Sequence, residues 1–392
     1  MLNPRQVGGL NRAGVLRTLA DSGPMARAEL ARRAAVSRAS MGSIVQGLLD
    51  DGILVELDPV AGGIGKPATP VWFAPGAGTV VAVTLRRASV SGALVDARGE
   101  IGSVCDVALR EARSADAVVA AACEVVDQVG RREGIIGVGI AVPGVCDSAE
   151  GAVLGSTAVP GAVGGRLVRE VSAHCGLPTF VENDSRSQAL AERWYGSGRG
   201  VDTFVSLEIG VGIGAGLVLD GELHLGTAGF AGEVGHLPLG PDGLACDCGL
   251  RGCWELTAGA DWLRSRAAED GLPGAERIDC ARLTDLAGGG LPEAEALLDE
   301  FAGNLARGIA VLAQVLAPQL FVLHGDVRGG GEPFLRRLER SCHARMLEPV
   351  PLVLSALEHA TLLGVAGRVI AERLHLAAAI DRAEPAGPVR RA

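Results

Sequence analysis

From residue 80 onward, short apolar runs of strand length alternate with helical stretches, and the alternation comes twice. Strand-like runs fall at 80–84, 91–95, 136–142, 179–181, 201–209 and 217–219, with helical patterns at 115–128 and 185–195 between them. This order predicts an α/β body. Hairpins followed by helices in two similar halves predict two lobes with a cleft between them, not one doubly wound sheet. Later, 297–316 reads as a long apolar helix closed by Pro318, and 320–324 as a buried strand running into Gly325.

The first 75 residues have another texture. Val15, Leu16 and Leu19 give a first helix its apolar stripe, Leu30, Ala31 and Ala34 a second, and Met41, Ile44, Val45 and Leu48 a third. Ser22-Gly23-Pro24 separates the first pair, and Ser37 is placed to N-cap the third. A short strand at 53–57, the Gly62-Gly63-Ile64-Gly65-Lys66-Pro67 turn and a second strand at 69–73 then read as a two-stranded wing. The triplet alone is equally an ordinary three-helix bundle. Read as a winged helix-turn-helix, its third helix would present Arg38, Ser40, Ser43 and Gln46 to base edges, with Arg27 on phosphate and Lys66 reaching the minor groove.

A chain of 392 residues favours two or three domains. The expected division is a head over 1–75, a Pro/Gly-rich joint, a two-lobed body over 76–380, and a disordered Pro/Ala/Arg-rich tail over 381–392. The formal charge of −10 argues against a uniformly basic nucleic-acid coat. The head nevertheless carries eight basic residues against six acidic ones, so the acidic excess belongs to the rest. With 48% hydrophobic residues but no membrane-length apolar run and no signal-peptide core, the expectation is a cytoplasmic protein with no membrane partner.

Nine cysteines are present, and three of them crowd together after a histidine as His236-x9-Cys246-x-Cys248-x4-Cys253. In a reducing compartment that spacing reads as metal binding, not disulfides. One imidazole and three thiolates complete a tetrahedral Zn2+ with no open position, which makes the expected ion structural. The other six cysteines read as small core residues.

Several motifs resemble one family. They are Gly137-Val138-Gly139-Ile140-Ala141-Val142-Pro143-Gly144, Val181-Glu182-Asn183-Asp184, Gly210-Val211-Gly212-Ile213-Gly214-Ala215-Gly216, Ala231-Gly232-Glu233-Val234-Gly235-His236 and the cysteine loop running into Trp254-Glu255. Together they are similar to the ROK family of repressors, open reading frames and sugar kinases. The head and its Gly65-Lys66-Pro67 wing resemble the winged helix of that family's regulators, which its kinases lack. The resemblance implies an actin-like (ribonuclease H-like) two-lobed sugar-kinase fold, with Asn183, Asp184, Glu233, His236 and Glu255 on sugar hydroxyls. Apart from the family, Asp184 reads equally well as a helix-capping aspartate.

In the family's kinases Asp184 would be the catalytic base. Their phosphate loop, Asp-x-Gly-Gly-Thr, is here Thr84-Leu85-Arg86-Arg87-Ala88. Val211 replaces a threonine, and His324-Gly325-Asp326 replaces a glycine turn. The expected function is therefore a sugar-responsive DNA-binding regulator, most simply a repressor, that is not an enzyme. Its partners would be double-stranded operator DNA, a sugar or sugar phosphate, and its own copies in a homodimer or homotetramer. A sugar kinase carrying a DNA-binding head is the alternative. Arg86 and Arg87 read either as an anion site or as solvated hairpin arginines.

Overall fold

The computed structural model describes residues 4–59, 68–130, 134–240 and 243–376. The chain opens with α1 (Pro4–Ser22), β1 (Met25–Ala26), α2 (Arg27–Arg33), α3 (Arg38–Asp50), β2 (Leu54–Glu56) and β3 (Pro70–Phe73). Three helices and a small sheet form as expected, with Ser37 accepting the Ser40 amide at 3.2 Å as the α3 cap. The two expected wing strands pair antiparallel as β2 and β3, and β1 joins them in the order β1-β3-β2 because Met25, buried beside the first helices, pairs with Val71. The wing turn and Lys66 lie outside the described residues, as do 377–392 and the tail expected to be disordered.

The first lobe contains β4 (Val80–Leu85), β5 (Ser89–Val95), β6 (Cys105–Ala108), α4 (Ala115–Val129), β7 (Gly137–Val142), β8 (Val145–Asp147), β9 (Ala152–Gly155), α5 (Arg166–Cys175) and β10 (Thr179–Asn183). It leads into α6 (Asp184–Tyr195). The second lobe contains β11 (Phe204–Ile209), β12 (Ile213–Leu219), β13 (Glu222–Leu223), α7 (Glu255–Ala258), α8 (Ala260–Glu269), α9 (Cys280–Gly288), α10 (Pro292–Leu316), β14 (Leu320–Gly325), α11 (Gly331–His343) and β15 (Leu352–Leu354). Helix α12 (Ala360–Arg373) returns to the first lobe and packs on β4 and β7.

The two large sheets repeat one topology, β10-β7-β4-β5-β6 and β13-β12-β11-β14-β15. In each, a three-stranded antiparallel meander carries two parallel strands beside its first strand. This is the expected actin-like, two-lobed arrangement. Every residue of β4 and β7 is buried, as strands covered on both faces require.

Helices α6 and α12 pack together where the lobes meet, with α6 also lying on β11 and β12. That contact explains part of the glycine run. A Cβ on Gly216 would stand 2.7 Å from the Ser185 carbonyl oxygen, so only glycine lets the helix sit so close to β12. One apolar cluster joins the head to the body, running from Val15, Leu19 and Trp72 to Val80, Trp194 and Val369. Among the described residues no helix is long and apolar enough to cross a membrane.

Candidate functional site

The β10–α6 junction opens on the cleft. Asn183 caps α6, its Oδ1 accepting the Arg186 amide at 2.9 Å, while its Nδ2 donates to the Gly144 carbonyl at 2.9 Å. Asp184 is thus the first helical residue and not the cap. Its Oδ1 accepts the Ser185 amide at 2.8 Å, and burial followed by the nearby charge of Glu208 pushes its carboxyl up to about 7. Glu233 lies close enough for its charge to act on Asp184, and burial raises its own carboxyl. After burial, the charges of His236, Arg186 and Glu255 act most strongly on Glu233. The structure therefore gathers Asp184, Glu233, His236 and Glu255 at one place, with Asn183 holding the backbone around them.

Two residues that the motif reading left without a role build this place. Arg186, 1% exposed, meets Glu182, fully buried, with its Nε at 2.7 Å. It also donates to the carbonyls of Cys146 and Gly229, both at 2.7 Å. One guanidinium therefore fixes the β8 strand of the first lobe and the segment that leads to Glu233. Glu182 is a strand residue at the end of β10 and Arg186 lies in the first turn of α6, so no helical spacing in the sequence marks the pair.

The side chains of His236, Cys246, Cys248 and Cys253 bring one donor atom each within 4.8 Å of one another. Nδ1 of His236 is 3.7 Å from Cys246 Sγ, and Cys248 Sγ is 3.6 Å from Cys253 Sγ. Tetrahedral coordination at about 2.0 to 2.3 Å separates ligand atoms by about 3.3 to 3.8 Å, so this donor set fits Zn2+. Burial pushes the Cys246 thiol up and takes Cys253 to about 12, while a backbone hydrogen bond from Leu250 lowers Cys248. The loop is anchored by Trp254, fully buried, whose indole N–H donates to the Asn304 carbonyl on α10 at 3.0 Å. Glu255 Oε1 lies 3.3 Å from His236 Nδ1 and 3.4 Å from Cys246 Sγ, which ties the cleft carboxylate to the ligand cluster. Of the other cysteines, Cys146, Cys175, Cys280 and Cys342 are buried, but Cys105 and Cys123 are half-exposed, so the core expectation is corrected for those two.

On the head, Arg38, Ser40, Ser43 and Gln46 are exposed along α3. Two residues are less free than the sequence implied. Gln46 donates to Asp50 at 2.9 Å, and Arg27 is paired with Glu56 at 2.7 Å. The first hairpin turns tightly at Arg86-Arg87-Ala88, where the Arg86 amide donates to the Ser89 carbonyl at 2.8 Å. Asp96, twelve residues after Thr84, accepts the Gly76, Arg98 and Glu100 amides and so serves the fold.

The profile of the ROK family matches residues 80–370. A putative xylose repressor from Caldicellulosiruptor sp. is 25% identical over 356 residues, covering 86% of this chain and 88% of its own length. A glucokinase from Thermotoga maritima is 34% identical over 208 residues, covering 50% of this chain and 65% of its own length. Among solved structures, a ROK family transcriptional regulator described as a homolog of the Escherichia coli MLC protein superposes with a TM-score of 0.77. It is 26% identical, covering 94% of this chain and 97% of the other.

Proposed function

The chain belongs to the ROK family, and from that premise we propose that it is a sugar-responsive transcriptional repressor whose winged head binds double-stranded operator DNA. The observation that carries the reading is the course of α6. Its first turn holds Asn183 and Asp184 in the cleft, and its last turn holds Arg193, which grips Asp21 of α1 in the head through Nε at 3.0 Å and a terminal nitrogen at 2.8 Å. A ligand that shifts one end of a packed helix moves what the other end holds.

Asp184, Glu233, His236 and Glu255 would take the sugar, since carboxylates paired with vicinal hydroxyls give a polyol site its specificity. Asn183 would orient them. Zn2+, held by His236, Cys246, Cys248 and Cys253, would be structural, its chemistry limited to fixing the loop that carries Glu233 and Glu255. Residues 1–75 would be the DNA-binding unit and 76–380 the sensor. Contacts from Arg27, Ser37, Arg38, Ser40, Ser43, Gln46 and Lys66 are few for one head. A homodimer or homotetramer on repeated half-sites would supply the missing affinity. Operator gel shifts with a sugar panel test the reading, and it falls if no sugar or sugar phosphate changes the shift.

A second reading keeps one observation in its favour. A carboxyl poised near neutral pH at Asp184 is what a kinase base requires. Against it stands the Thr84-Leu85-Arg86-Arg87-Ala88 hairpin, which has neither the carboxylate nor the glycines of the kinase loop. A coupled assay for ADP release discriminates the two.

A further inference from the structure

Among the described residues the chain passes between the two large sheets twice, from α6 through 196–203 into β11 and from β15 through 355–359 into α12. Any change in the angle between the lobes is taken up in these two crossovers. One side chain holds both. Glu192, fully buried in the last turn of α6, accepts the Ser197 amide of the first crossover through Oε2 at 2.7 Å. Its Oε1 accepts the Ser355 hydroxyl of the second at 2.5 Å.

Each crossover is fitted to that carboxyl group. A Cβ on Gly196 would stand 2.0 Å from Glu192 Oε2 and displace it, so glycine lets the chain leave α6 directly over the side chain. Ser355 is pinned from its other side. Its amide donates to the Leu323 carbonyl of β14 at 2.9 Å, and its Oγ accepts the Leu357 amide at 3.1 Å. His324 of β14, 2% exposed, brings Nε2 to 3.3 Å from Glu192 Oε1 without the alignment of a hydrogen bond. Burial, followed by the charge of Arg328, lowers its imidazole to about 3, so this neighbour is neutral and the two serine bonds orient Glu192.

A buried carboxyl group on neutral partners gains little stability over apolar groups of the same shape. What the bonds supply is direction, because both paths between the lobes are tied to the end of one helix. The next residue of that helix is Arg193, whose guanidinium holds Asp21 of the head. Asp184 stands eight residues earlier, a rise of about 12 Å, so Glu192 lies away from a ligand bound there.

We propose that Glu192 is the positioning residue that converts closure of the lobes on a sugar into movement of the head. Rotation about the crossovers shifts Ser197 and Ser355, Glu192 follows them, and Arg193 carries the shift to Asp21. The inference rests on the sugar-responsive repressor reading and deepens it by naming the residue through which the ligand reaches the operator.

The test uses the full-length protein with glucose, xylose, N-acetylglucosamine and their phosphates as probes. Calorimetry reads sugar affinity and fluorescence anisotropy reads operator affinity. For the probe that changes operator affinity in the parent, Ser355→Ala and Glu192→Gln should each cut that change at least tenfold while sugar affinity stays within about threefold. The glutamine places an NH₂ group where one of the two serine donors needs an acceptor. Ser355→Thr keeps the hydroxyl and should keep the response. Ile309→Val, a change in the buried face of α10, should keep it too, which separates coupling from loss of stability. If Glu192→Gln does not fold, the two Ser355 variants decide. A response that survives in Ser355→Ala, one that is lost equally in Ile309→Val, or a loss matched by an equal fall in sugar affinity overturns the inference and leaves the repressor reading standing. Operator affinity that no probe changes in the parent overturns both.

Discussion

Arg193 in the last turn of α6 and Asp21 near the end of α1 form a two-bond ion pair that joins the two-lobed body to the head, and both are largely buried. Arg17 of α1 adds a second tie, reaching both Asp21 and Glu222 of β13. Nine residues before Arg193 on the same helix stands Asp184. The head is therefore held by the helix that begins in the cleft.

Replacing Arg193 with alanine should leave both lobes folded at a cost of about 1 to 2 kcal/mol, the value of charge-assisted hydrogen bonds partly shielded from water. Operator binding should persist, and its response to sugar should shrink at least tenfold. Urea melts and operator titrations with and without sugar measure the two effects separately.

Cys248→Ser or Cys246→Ser should empty the metal site. The zinc content of purified protein should fall from about one ion per chain, and the melting temperature should drop by an amount equivalent to several kcal/mol. Zinc content unchanged in both variants would remove the ion from the account.

The Asp184 carboxyl, raised from 3.8 to about 7, gives a signed pH prediction. Between those values the folded state holds a proton that the unfolded state has lost, so this group makes folding less favourable as pH rises from about 4 to about 7. Asp184→Asn carries no such burden. The variant should be more stable than the parent at pH 8, with the difference shrinking toward pH 4, and it should bind sugar at least tenfold more weakly. Denaturant midpoints at pH 5 and pH 8 check the sign.

Removing Glu182 leaves the buried Arg186 guanidinium without its ion-pair partner, whereas Glu182 also has Arg368 Nε at 3.8 Å. Glu182→Ala should cost about 3 to 5 kcal/mol, and adding Arg186→Ala should cost less than the sum of the two single changes. A double-mutant cycle by chemical denaturation reads this coupling.

Legibility in the sequence followed distance along the chain. The metal ligands lie within eighteen residues of each other and announce themselves by spacing, and the strands β4, β7 and β14 stand out as unbroken apolar runs. Strand β6 did not, because its four residues, Cys105 to Ala108, alternate buried and exposed too briefly to mark a strand. The role of Arg186 was hidden for another reason: the carbonyls it holds belong to Cys146 and Gly229, 40 and 43 residues away, and no local pattern records them.

The most direct test of the central claim is operator affinity, measured by fluorescence anisotropy while sugars and sugar phosphates are titrated into the parent protein and into Asp184→Asn. One ligand should change the dissociation constant for operator DNA at least tenfold in the parent and leave the variant indifferent. An affinity that no ligand alters, together with ADP release that depends on Asp184, would contradict it.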